Sequence, residues 1–334
     1  MIDSSPSPID SRSEECRRWA LRQLSLSAAD WAPASSDASF RRYFRLRSGD
    51  KSWVVMDAPP ETEDCRPFVA VAERLQGAGL NAPEVLAADL ERGMLLLGDL
   101  GTRGYLDALS RGPDPDTLML PAIDALVRWQ AATEPGSLPP FDATLLRREL
   151  ALFRDWLLDR HLGIALPDRE ARALATIEDA LVDRLSAQWQ CNVHRDYMPR
   201  NLMVCEPLPG IIDFQDAVIG PYAYDLLCLC KDAFISWPAE RVAGWQRHYH
   251  AAARAAGLPV PGFEPFLADF DAVGVQRHLK VAGIFARLHH RDGKSDYLSD
   301  VPRFIGYLEE ASAGRAEYAG LSPILARVRD ALPA

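Results

Sequence analysis

The chain has 334 residues, 48% of them hydrophobic and 25% charged, the ordinary balance of a globular protein with a sizeable core. Its formal net charge of −10 argues against bulk binding to nucleic acid or to an anionic membrane. Six cysteines (Cys16, Cys65, Cys191, Cys205, Cys228 and Cys230) form no C-x-x-C pair, and no histidines have zinc-finger spacing. They read as free thiols of a reducing compartment. No basic segment followed by an apolar run opens the chain, and no apolar stretch approaches membrane-spanning length. A cytoplasmic location with no obligate protein partner is the expectation.

Taken in order, residues 14–24 have helical spacing of Cys16, Trp19, Ala20 and Gln23. Residues 40–46 and 53–56 read as strands joined by the turn Ser48-Gly49-Asp50. Pro67 starts a helix that carries Phe68, Val71, Ala72 and Leu75 and ends at Gly77 and Gly79. Residues 83–88 and 94–97 are two further strands, and Gly98-Asp99-Leu100-Gly101 breaks the pattern as a hinge. The division expected is a nucleotide-binding lobe over 1–100 and a larger, mostly helical lobe over 101–334. A loop at 112–116 leads into a helix ending near Ala132, an amphipathic helix spans 145–162, and another runs through 171–189. Beyond Tyr224 the chain reads as helix, broken near Pro238, Pro259–Pro261 and Pro302.

The chemistry concentrates in CNVHRDYMPRNLMV and the GIIDFQD that follows. His194-Arg195-Asp196, with Asn201 five residues after the Asp, has the form H-R-D-x-x-x-x-N of a kinase catalytic loop. Asp213 follows within an apolar run, where a kinase places its second metal ligand. As isolated residues these would be turn carboxylates; the combination points to phosphoryl transfer. Asp196, with Arg195 beside it, would orient the attacking hydroxyl and accept its proton. The amide oxygen of Asn201 and the carboxylate of Asp213 suit Mg²⁺, a hard ion that takes few protein ligands.

HRDYMPRN, IIDFQD and the later GPYAYDL resemble the aminoglycoside phosphotransferase family. The resemblance implies an α+β, protein-kinase-like two-lobed fold that phosphorylates small molecules with ATP and Mg²⁺. Longer stretches, among them ASFRRYFRL, MLLLGDLG, ELALFRDWLLDRHLG and RHLKVAGIFARLHHRDGKSDYL, are similar to a narrower group within that family. Its members are bacterial kinases that act on the anomeric hydroxyl of N-acetylmuramate and N-acetylglucosamine in peptidoglycan recycling. An amino sugar is therefore the expected substrate. A kinase for an aminoglycoside or amino alcohol is the nearest alternative, and a non-catalytic kinase-like binding protein a more distant one.

Residues 35–43 occupy the place of a kinase Gly-rich loop but contain no glycine; Ser36, Ala38, Ser39 and Phe40 would bring backbone amides to the phosphates. The phosphate-gripping lysine of the next strand is missing too, and Lys51 falls in the turn. Arg41, Arg42 and Arg45 are the substitutes, with Arg42 favoured and Glu73 either its ion-pair partner or a solvated side chain. Leu97, Asp99 and Leu100 at the hinge would face adenine. For the sugar the candidates are Arg160, His161, Gln215, Asp216 and Arg287, the last on a helix crowded with basic residues from Gln276 to Arg291. As a bare solvated face those residues would only complement the helix dipole. Asp225 is expected to cap backbone amides near the catalytic loop.

Overall fold

The computed structural model describes residues 11–34, 41–112 and 114–332. It forms two compact units, one comprising the chain up to Arg103 together with Met203–Asp216, the other Gly104–Leu202 and Ala217–Ala334. The first break falls at Arg103, close to the expected boundary at Leu100. The return of Met203–Asp216 to the first unit is a feature that a single boundary does not capture.

In the first unit, α1 (Ser11–Gln23) precedes β1 (Asp30–Pro33), β2 (Arg42–Ser48) and β3 (Lys51–Asp57), then α2 (Arg66–Gly77), β4 (Val85–Asp89) and β5 (Met94–Gly98). The strands form one antiparallel sheet in the order β1-β2-β3-β5-β4. Alternate residues serve opposite faces. Leu46, Val55, Met94 and Leu96 join Cys16, Trp19 and Ala20 of α1 in one apolar cluster. Met56, Leu95 and Leu97, one step out of that phase, are equally buried on the other face. Pro67 stands in the first turn of α2, where its missing N–H costs nothing.

The second unit is mostly helical. It contains α3 (Tyr105–Arg111), α4 (Asp116–Ala131), α5 (Ala143–Leu152), a π-helical segment (Phe153–His161), α6 (Asp168–Ala187) and β6 (Gln190–Val193). The segment that returns to the first unit begins at β7 (Leu202–Met203), which pairs with β8 (Gly210–Ile211). Back in the second unit, β9 (Val218–Pro221) pairs with β6. There follow α7 (Tyr224–Cys230), α8 (Ala239–Ala255), α9 (Phe263–Asp292), α10 (Val301–Gly314) and α11 (Ser322–Ala331).

One expectation changes. The helix expected over 145–162 is α5 followed by a wider π turn, closed by Leu162 N–H donating to the Leu157 carbonyl five residues back at 3.0 Å. α9 crosses that junction at Gly283, where a Cβ would stand 2.3 Å from the Leu152 carbonyl; only glycine permits so close an approach. Pro302 stands in the first turn of α10, and the break expected near it falls just before that helix. The short α3 is an addition to the helices read from the sequence.

Candidate active site

The catalytic loop leaves β6 at Val193 and is held by a carboxylate from α7. Asp225 accepts the His194 N–H at 2.6 Å and the Arg195 N–H at 3.0 Å. It is fully buried, and burial pushes its carboxyl up to about 6 against the pull of His194 and those two amides. The capping role expected of Asp225 is the one it has. Arg195 sits at φ +75°, a conformation unusual for a side-chain-bearing residue; this paired anchoring holds it there.

Arg195 turns its guanidinium inward. Its Nη2 lies 2.6 Å from Glu149 Oε1, and its guanidinium stands over the Phe141 ring. Glu149, on α5, also meets Lys280 Nζ at 2.9 Å and accepts from Gln276 Nε2 at 3.0 Å. Burial works to raise the Glu149 carboxyl, but Lys280 and Arg195 hold it below its ordinary value. The Arg195 side chain is thus committed to Glu149.

Asp196 keeps about half of its side chain exposed, with Arg277 Nη2 at 3.9 Å from Oδ1. Desolvation would raise its carboxyl; Lys280, Arg277, His194 and Arg195 reverse that and keep it below the ordinary carboxylate range. A carboxylate in so positive a surrounding is a weak base. Asn201 donates Nδ2–H to the Asp196 backbone carbonyl at 2.9 Å. Because that partner can only accept, the amide orientation is fixed and Oδ1 is its other pole. That is the atom an Mg²⁺ ion takes from an amide, so Asn201 fits a metal ligand.

The remaining candidates of this kind lie in the first unit. Asp213 adopts φ +61° between β8 and Phe214, whose ring packs on Phe68 of α2 at 4.7 Å. A hard carboxylate fixed by such a backbone suits Mg²⁺. Gln215 Nε2 donates to Asp213 Oδ1 at 3.0 Å and to Asp216 Oδ2 at 3.3 Å. Gln215 therefore bridges two carboxylates, so its amide hydrogens are committed within the unit.

The arginines divide by face. Arg42 stands opposite Asp57 in the β2–β3 register and binds it through Nε at 2.9 Å and Nη2 at 2.5 Å; Arg12 of α1 takes the other oxygen at 2.7 Å. The favoured Arg42 thus faces α1. Arg45 forms a bidentate pair with Asp99, at 2.7 and 3.0 Å, and also donates to the Gly101 carbonyl. Arg41 pairs with Glu63 at 2.7 Å, both largely buried. Arg41 also hydrogen-bonds Tyr43, whose hydroxyl is raised by burial, lowered by Arg41 and raised by Asp213. Arg41 therefore shares the face that senses Asp213. Glu73 is exposed on α2, while Asp57 pairs with Arg42 and Glu63 with Arg41. Ser36, Ala38, Ser39 and Phe40 lie outside the described residues.

Leu97 stands between Val54 and Val85 inside the sheet. The strand ends at Gly98, so Asp99 and Leu100 lie past the ladder. On α9, Arg287 follows Arg277 by ten residues, about 15 Å along the axis. Arg160 stacks on Trp156 and His161 meets His290, all at that far end. The structure does not bring these three to Asp196. It brings instead Glu149, Gln276, Arg277 and Lys280 to the catalytic loop.

Residues 30–260 match the phosphotransferase enzyme family, and the chain belongs to it. It is 56% identical over 299 residues to an N-acetylmuramate/N-acetylglucosamine kinase of Pseudomonas aeruginosa, covering 89% of this chain and 88% of that protein. A protein of the same name from Neisseria meningitidis is 44% identical over 297 residues, covering 87% and 88%. Among solved structures, a choline kinase from Streptococcus pneumoniae superposes with a TM-score of 0.65 at 13% identity, over 91% of this chain and 100% of that one. An ADP-bound aminoglycoside phosphotransferase gives 0.53 at 14% identity, over 89% and 98%. The fold is the kinase-like one expected. No helix among the described residues is long and apolar enough to cross a membrane.

Proposed function

We propose that this enzyme transfers the γ-phosphoryl group of ATP to the anomeric hydroxyl of N-acetylmuramate and N-acetylglucosamine, in peptidoglycan recycling. The observation that carries the reading is similarity over nearly nine-tenths of the chain to kinases named for that substrate pair. The surroundings of Asp196 support it. Arg277, Lys280 and Arg195 make this end of the acceptor site cationic, which disfavours a cationic acceptor such as choline and suits a neutral or anionic sugar. A hemiacetal hydroxyl is also more acidic than an ordinary alcohol, which matches a weak carboxylate base.

In this reading the sugar hydroxyl donates to Asp196, and its proton passes to that carboxylate as the new O–P bond forms and the bond to ADP breaks. Asn201 Oδ1 and the Asp213 carboxylate are the residues that would hold Mg²⁺. Such an ion supplies charge neutralisation on the β- and γ-phosphates. Arg41 is the phosphate-gripping substitute for the missing lysine. Arg41→Ala is expected to raise the KM for ATP roughly 10- to 100-fold, the loss of one charge-assisted hydrogen bond. Arg42→Ala should leave that KM near the parent value and lower the unfolding midpoint instead, because Asp57 loses a partner. The opposite ranking in steady-state kinetics and melting would return Arg42 to the phosphate role.

The reading is tested by assaying ATP turnover with both free sugars, their methyl glycosides, choline and kanamycin. Both free sugars should react and give an acid-labile phosphate whose ³¹P signal couples to the anomeric proton. The methyl glycosides, choline and kanamycin should not. Turnover of a methyl glycoside at the rate of the free sugar would exclude transfer to the anomeric oxygen.

A further inference from the structure

Three histidines meet at the far end of the second unit's longest helix, and no step of the proposed reaction uses them. His161 closes the π-helical segment, and His289 and His290 stand in the last turn of α9. One ring nitrogen from each lies within 4.8 Å of the other two. His161 Nδ1 and His290 Nε2 are 3.2 Å apart, close to the separation of two nitrogens that each sit about 2.0–2.1 Å from a tetrahedral ion. His289 Nδ1 lies 2.9 Å from Ser295 Oγ. That contact orients the ring and leaves Nε2 as its ligand nitrogen, the arrangement in which metal-bound histidines are held.

The chemistry of the cluster selects the ligand. Its donors are imidazole nitrogens with no carboxylate among them, and the Arg160 charge reaches His290. Mg²⁺ and Ca²⁺ need hard, preferably anionic oxygens, so the cluster does not suit them. A borderline ion binds neutral imidazole well.

We propose that His161, His289 and His290 form a three-imidazole site for a divalent late transition ion, with Zn²⁺ as its representative. The site is separate from the catalytic loop. His290 follows Arg277, the neighbour of Asp196, by thirteen residues of one helix, about 20 Å along its axis. The ion would tie the end of the π-helical segment to the end of α9, leaving a fourth position for water.

The test uses the full chain, stripped of metal and titrated with ZnCl₂ by calorimetry, with CoCl₂ as a spectroscopic probe. The expected result is one ion per chain, a melting temperature that rises with Zn²⁺, and a tetrahedral Co²⁺ spectrum without thiolate charge transfer. His161→Gln and His290→Gln should each abolish the binding and the melting shift. His248→Gln, at a histidine paired with Asp124 outside the cluster, should keep both. Circular dichroism of the metal-free variants establishes that each is folded; should His161→Gln fail to fold, the surface variant His290→Gln decides. No binding by the parent chain, undiminished binding in the folded His290→Gln variant, or a thiolate band with Co²⁺ would each overturn the proposal.

Discussion

Asp196→Asn is expected to lower kcat by about 100- to 10,000-fold while ATP affinity and thermal stability stay near those of the parent. The amide keeps the size of the side chain but cannot take the proton of the attacking hydroxyl. Stability should be little changed because the side chain is about half exposed and its nearest cation, Arg277, is 3.9 Å away. The neighbouring cations also set a pH expectation. They hold the Asp196 carboxyl below its ordinary value of 3.8, so protonation of this group should not reduce the rate until the pH falls below that value. Single-turnover kinetics separate the chemical step from ATP binding and product release. An Asn variant with near-parental single-turnover rate would remove Asp196 from the role of proton acceptor.

The residues that carry this prediction are legible because they are close in sequence. His194, Asp196, Asn201 and Asp213 fall within twenty residues, and the spacing alone points to phosphoryl transfer. The strands of the first unit are legible for a similar reason, since alternation and turn residues are local. What surrounds Asp196 is not. Glu149 lies 46 residues before Arg195, and Gln276 lies 127 residues after Glu149; nothing local says that they meet. Gln276, Arg277 and Lys280 stand out as part of a basic helix. Composition cannot divide that helix into an end that supports Asp196 and an end that does not. Alternation leading into β2 separates Arg41 from Arg42. It cannot tell which face meets α1 and which senses Asp213, because that depends on packing. The histidine cluster joins residues 129 positions apart, so a search for local zinc spacing passes over it. The π turn is hidden because its side chains still read as an amphipathic helix.

Glu149→Gln is expected to destabilise the protein by about 3–5 kcal/mol, the usual consequence of removing one partner from a buried ion network. The carboxylate is 5% exposed and stands between Arg195 Nη2 and Lys280 Nζ, whose side chains are 20% and 9% exposed. Glutamine preserves the shape and part of the hydrogen bonding but leaves two cations facing each other without a counter-charge. The effect should depend on pH in a stated direction. Glu149 is held below its ordinary value of 4.5, so its contribution is fully present above that pH and is lost as the pH falls through the lower folded value. The stability gap between parent and variant, read from urea unfolding, should therefore be widest near neutrality and close on the acid side of 4.5. Activity should fall as well, because the Arg195 side chain that Glu149 fixes adjoins Asp196 on a backbone already held at φ +75°. A variant as stable as the parent near neutral pH would mean that Arg195 and Lys280 find other partners, and that Glu149 does not anchor the catalytic loop.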